Sequence, residues 1–113
     1  MAQRQKLIVE WTRTAEIQFI GILEYWTKRN KSTSYAKKLT AQVWEKIEIL
    51  QEHPLSSTKT DDFESRRVSL GHFSILYQVL GKKIVITAFW DNRQDPVKLY
   101  EILKKGKTNP NTK

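Results

Sequence analysis

Gly71-His72-Phe73-Ser74-Ile75-Leu76-Tyr77-Gln78-Val79-Leu80-Gly81-Lys82-Lys83-Ile84-Val85-Ile86-Thr87-Ala88-Phe89-Trp90 carries the clearest pattern in the chain. Two runs of β-branched and aromatic residues, 72–79 and 83–90, are parted by Gly81. A third, Arg66-Arg67-Val68-Ser69-Leu70, lies just before Gly71. Such runs are strands, and single-glycine punctuation leaves room only for tight hairpins, so the three form an antiparallel meander.

Working outward, Lys6-Leu7-Ile8-Val9-Glu10-Trp11 is a fourth strand candidate, and Thr12 can cap a helix behind it. Ala15, Phe19, Ile22, Leu23 and Trp26 then recur at helical spacing, until Lys28-Arg29-Asn30-Lys31 breaks the pattern. A second cap lies among Ser32, Thr33 and Ser34. Ala36, Leu39, Val43, Ile47 and Leu50 follow as one apolar face ending before His53-Pro54. Leu55 to Glu64 is loop-like, and Pro96 opens a last helix over Val97 to Leu103. The order is β-α-α-β-β-β-α. Two amphipathic helices need a surface to cover, and a sheet needs a cover. A helical hairpin on one face of a four-stranded, mainly antiparallel sheet, an α+β fold, meets both needs. Residues 1–105 make a single domain and 106–113 a flexible basic tail.

The chain has 113 residues, with 20 Lys and Arg against 12 Asp and Glu, a formal charge of +8. That excess favours a polyanionic partner, nucleic acid or an acidic protein. With no cysteine, disulfides and thiolate metal sites are excluded, and the only histidines, His53 and His72, fall in different elements. No metal or cofactor is expected. No run is long and apolar enough to span a membrane, and no signal-peptide core stands at the N-terminus, so a cytoplasmic location is expected.

Alternation on the strands turns Phe73, Ile75, Tyr77 and Val79 towards the helices, and leaves Ser74, Leu76 and Gln78 on an uncovered face. Val68 and Leu70 turn inward, leaving Arg67 and Ser69 outside. The strand from Lys83 ends in Asp91-Asn92-Arg93-Gln94-Asp95-Pro96, a polar loop holding one arginine among carboxylates and amides. A rigid strand end places such side chains well for binding or catalysis. Arg93 is therefore the first candidate. Arg66, Arg67, Gln78, Trp90 and Asn92 are candidates for nucleic-acid contact, guanidinium groups for phosphate and the indole for a base. A plainer reading also stands: Asp91, Asn92 and Asp95 terminate the strand, and Arg66 and Arg67 pair with Asp61, Asp62 or Glu64.

The whole pattern resembles the RelE/ParE superfamily of toxins from bacterial type II toxin–antitoxin systems. The resemblance rests on Val9-Glu10-Trp11-Thr12 to Trp26, the second helix to Leu50 and Pro54, the run Gly71 to Val79, and Ile84-Val85-Ile86 followed by Arg93. The loop Trp90 to Pro96 is similar to that of plasmid-stabilisation members. The resemblance implies a compact toxin in a heteromeric complex with a small acidic cognate antitoxin.

It also implies one of two activities. RelE-like members cut mRNA on the ribosome without a metal, and ParE-like members bind DNA gyrase and are not enzymes. On the nuclease pattern Arg93 and Arg67 match residues that contact phosphate, and His72 or Tyr100 would assist proton transfer. Ser74 stands where such enzymes carry a further arginine, and Tyr100 is one residue out of register with their tyrosine. The resemblance thus implies a ribosome-dependent endoribonuclease, with a gyrase inhibitor or an inactive antitoxin-binding member as alternatives.

Overall fold

The computed structural model describes residues 6–55, 58–59, 65–94 and 97. Its elements run β1 (Ile8–Trp11), α1 (Arg13–Asn30), α2 (Ser34–Glu52), β2 (Thr58–Lys59), β3 (Arg66–Leu70), β4 (Phe73–Leu80) and β5 (Lys83–Asp91). The four expected strands form one mixed sheet in the order β1-β5-β4-β3, under two helices. The β3–β4 and β4–β5 pairs are antiparallel, and β1 pairs parallel with β5, Val9 opposite Ile84. The helical hairpin returns the chain to the starting end of β1, where the Leu7 N–H donates to the Gln51 carbonyl, and the two reversals of the β3–β4–β5 meander then bring β5 alongside β1 in the same direction.

Between Leu55 and Glu64, where the sequence pattern indicates a loop, the two-residue β2 extends the sheet beyond β3. Two residues carry no periodic signal, so the sequence gives no sign of it. The expected last helix lies outside the described residues apart from Val97, as does the tail 106–113. No helix among the described residues is long and apolar enough to cross a membrane.

Local chemistry explains the boundaries. Thr12 is extended, and its Oγ1 accepts the Ala15 N–H at 3.1 Å, closing the first turn of α1. Lys31 ends that helix in the left-handed region at φ 52°. Gly71 and Gly81 both sit at φ +61°, the first positions of the two-residue loops joining β3 to β4 and β4 to β5. A side chain at either position would meet the left-handed penalty that glycine escapes.

The core lies between the helices and one face of the sheet. Ala36, Leu39, Val43, Ile47 and Leu50 of α2 are all buried, as their spacing requires. Leu39, Val43, Ile47 and Leu50 meet Phe73, Ile75 and Tyr77 of β4 and Ile84, Ile86 and Phe89 of β5. From α1, Ala15 is buried, while Phe19, Ile22 and Leu23 pack at the edge of the cluster. The Tyr77 hydroxyl donates to the Pro54 carbonyl at 2.7 Å, so its polar end is satisfied beneath α2.

The face turned away from the helices differs from expectation. Ser74 and Leu76 are buried, Ser74 at 1% exposure, together with Ala88 and Trp90 across the β4–β5 pair. Ser74 is the cross-strand partner of Trp90 there and spends its hydroxyl on Asn92, so this face carries packed side chains where the alternation alone indicates an open surface.

Candidate functional site

The site begins with an irregularity in β5. Leu76 pairs with Ala88 but Tyr77 pairs with Ile86, which makes Thr87 an extra residue, a β-bulge. Without it, Ile84, Ile86, Ala88 and Trp90 would share one face. With it, Ile84 and Ile86 face the helices, then Phe89 does, and Ala88 and Trp90 turn away. The same half-step brings Asp91 back to the helix side, opposite Phe73. Bulges commonly re-aim side chains beside functional sites.

Past the bulge the strand end is tied down. The Asn92 N–H donates to the His72 carbonyl at 2.8 Å, and the Ser74 hydroxyl donates to Asn92 Oδ1 at 2.7 Å. Asp91 holds Arg93 in a fork: Nε donates to Oδ1 at 2.9 Å and Nη2 to Oδ2 at 2.8 Å, with the Arg93 N–H also on Oδ1 at 2.9 Å. These hydrogen bonds from the Arg93 side chain hold the Asp91 carboxyl below the usual carboxylate range, against the opposing effect of burial. The same pairing raises Arg93 above its ordinary value, so the pair is fully ionised. Bidentate pairing fixes the guanidinium in orientation and offsets its charge.

Helix α1 supplies the opposite wall. The Arg93 guanidinium lies 5.5 Å from the centre of the Trp26 ring, and that of Arg29 lies 5.6 Å from it. Tyr25 meets the same indole edge-on at 5.2 Å, and Tyr35 of α2 also packs on it at 5.2 Å. A cavity of about 630 Å³ opens between α1 and the end of β5, lined on one side by Gln18, Gly21 and Tyr25, and on the other by Phe89, Asp91 and Arg93. Gln18 Oε1 accepts the Phe89 N–H at 2.9 Å, which fixes the amide, and Gln18 Nε2 is buried with no partner among the described residues.

The sequence candidates do not converge. Arg93 stands on the helix side of the strand end. Arg67 is exposed on β3 opposite Leu76, on the other face of the sheet. His72 is an exposed turn residue whose carbonyl steadies Asn92, itself exposed. Arg66 turns to the helix side, opposite Tyr77, and its Nη1 donates to the Leu55 carbonyl at 3.3 Å. Gln78 is half-buried, and Trp90, at 7% exposure, does not present a free ring for a base to stack on. Tyr100 lies outside the described residues. No group of three or more His, Cys, Asp or Glu side chains among the described residues is arranged to hold a metal ion.

Gln18, Tyr25 and Arg29 lie off the core stripe that the spacing of α1 indicates, and Trp26, a member of that stripe, also faces the site. The signal is a second stripe, Ile17, Gly21 and Tyr25 at four-residue steps, whose large members are more than half exposed.

One prediction follows from the Asp91–Arg93 pair. Its folded-state pKa is depressed, so its stabilisation is present above the ordinary carboxylate pKa of about 4 and is lost as pH falls through the lower folded value. The urea midpoint of the wild type should exceed that of Asp91→Asn by a constant margin near neutrality. That margin should close in acid below about pH 4. A margin unchanged down to the acid limit of the fold would contradict the assignment.

Among the solved structures, the chain is similar to the chromosomal ParDE TA system from P. aeruginosa, with a TM-score of 0.63 and 22% identity, over 74% of this chain and 94% of that one. At that identity the likeness bears on the fold alone. No curated protein matches the chain significantly. The model of the family described as the ParE toxin of type II toxin–antitoxin system, parDE, matches residues 9–96, from β1 through the strand end that carries Arg93. With most of its length under that match, the chain belongs to the ParE toxin family.

Proposed function

We propose that the chain is a toxin that acts by gripping a protein target, DNA gyrase, rather than by cutting RNA, and that a small acidic antitoxin neutralises it in the cytoplasm. The observation that carries this reading is the fork between Asp91 and Arg93. A guanidinium stabilising a phosphorane must present uncompensated charge to it, and this one is offset by a carboxylate at 2.8 Å and packed over Trp26. Arg67 lies on the far face, and Ser74, at the position of the missing arginine, is buried. What remains around Arg93 is Trp26, Tyr25 and Arg29, the residue types that dominate protein–protein hot spots.

The test is inducible expression in a bacterium, reading growth together with ribosome-associated transcripts by primer extension. The expected result is growth arrest with intact transcripts and a DNA-damage response. The variant Asp91→Ala should be less toxic, because Arg93 loses its orientation. Toxin-dependent cleavage within codons, strengthened by Asp91→Ala, would overturn the reading in favour of the nuclease.

A further inference from the structure

We infer that the cavity between α1 and the end of β5 is the target-recognition pocket, taking an acidic segment of gyrase in which a carboxylate sits beside an apolar side chain. The inference rests on the reading of the chain as a gyrase-binding toxin and names the site and chemistry of that contact.

The lining dictates the occupant. The exposed guanidinium of Arg29, stacked on Trp26, has no carboxylate partner among the described residues, and Gln18 Nε2 lies buried behind the wall without a partner among them. The one carboxylate in the wall, Asp91, is consumed by Arg93. A pocket whose one charge not offset by a carboxylate is a guanidinium, in a chain of charge +8, selects acceptors, and carboxylate most strongly. Between the donors the wall is apolar, with Ile17 and Tyr25 at 59% and 56% exposure along its rim. A side chain of the partner that covers them would bury surface now open to water.

The pocket is also preformed. Phe89 N–H fixes the Gln18 amide, and Asp91 fixes Arg93, so little ordering remains to oppose binding. At about 630 Å³ it holds a few side chains, not an extended strand. A wrapping antitoxin has the backbone edges of the sheet to pair with. A rigid pocket with donors in fixed places suits one side-chain pair on a large, folded partner.

The experiment uses full-length toxin and purified gyrase, with binding measured by interferometry and inhibition by supercoiling. Arg29→Glu reverses the exposed charge. Ile17→Asp replaces an exposed apolar side chain of the rim by a charge like that of the incoming carboxylate. Each should weaken gyrase binding at least tenfold, and Arg29→Lys should recover most of it. The melting temperature and the affinity for the antitoxin encoded beside the toxin should stay at wild-type values. Gyrase binding unchanged within twofold in both variants, with the wild type still inhibitory, would overturn the pocket and leave the functional reading standing. Loss of antitoxin affinity instead of gyrase affinity would assign the cavity to the antitoxin and overturn it equally. A wild-type protein that does not bind gyrase would remove the functional reading and the pocket together.

Discussion

Replacing Ser74 by arginine, the residue that the resemblance to RelE-like nucleases implies at this position, is expected to unfold the protein and not to create a nuclease. Ser74 is 1% exposed, sits between Ser69 of β3 and Trp90 of β5, and spends its hydroxyl on Asn92. An arginine there must displace its neighbours, an overpacking cost of about 1–3 kcal/mol. Its charge would lie buried with no carboxylate beside it among the described residues, since Asp91 is turned to the helix side and Glu10, opposite Val85, is paired with Lys83, and an uncompensated buried charge costs about 3–5 kcal/mol. Together these rival the whole stability of a domain this size, about 5–15 kcal/mol. Ser74→Ala loses one neutral hydrogen bond and should cost about 1 kcal/mol. Urea unfolding of both variants, with primer extension on translating ribosomes, checks the pair. A folded Ser74→Arg protein that cleaves mRNA would show that this face is an open catalytic surface.

Phe89→Ala carries the second large effect, a loss of about 3–5 kcal/mol. Phe89 is fully buried, with its ring 4.8 Å from that of Phe19 and 5.4 Å from that of Phe73. Its ring joins α1, β4 and β5 immediately before the site. Its backbone N–H anchors Gln18, so the cavity created by truncation should also loosen the α1 wall. Trp90→Ala, on the opposite face, removes a larger ring but leaves that wall in place. The two should therefore separate in the amide spectrum: Phe89→Ala shifts Gln18 and Trp26 signals, and Trp90→Ala does not. Equal shifts from both, or a Phe89→Ala midpoint close to wild type, would count against the bulged register.

That register shows where the sequence stops being legible. The five apolar positions of α2, the cap at Thr12, the two glycine hairpins and the inward set on β4 follow from spacing and residue chemistry, because each depends on local geometry. The bulge at Thr87 does not. Whether one residue is skipped is decided by which of Phe89 or Trp90 fits beneath α1, and that is settled by packing across the sheet. From it follow the burial of Ser74, the return of Asp91 to the helix side and the fork with Arg93. Arg93 was legible as the residue to watch, since a polar loop after a buried strand marks it. Its partner was not, because Asp91 two residues back reaches the guanidinium only when the strand end curls. The α1 stripe through Tyr25 was present in the spacing but masked by the stronger core stripe beside it.

A toxin that works by protein binding is tested most directly by titrating the purified chain into DNA gyrase and following supercoiling of relaxed plasmid. Inhibition is expected near stoichiometric toxin, relieved by excess antitoxin, with transcripts on translating ribosomes left intact. Undiminished supercoiling at large molar excess, alongside cleaved ribosome-bound mRNA, would contradict it.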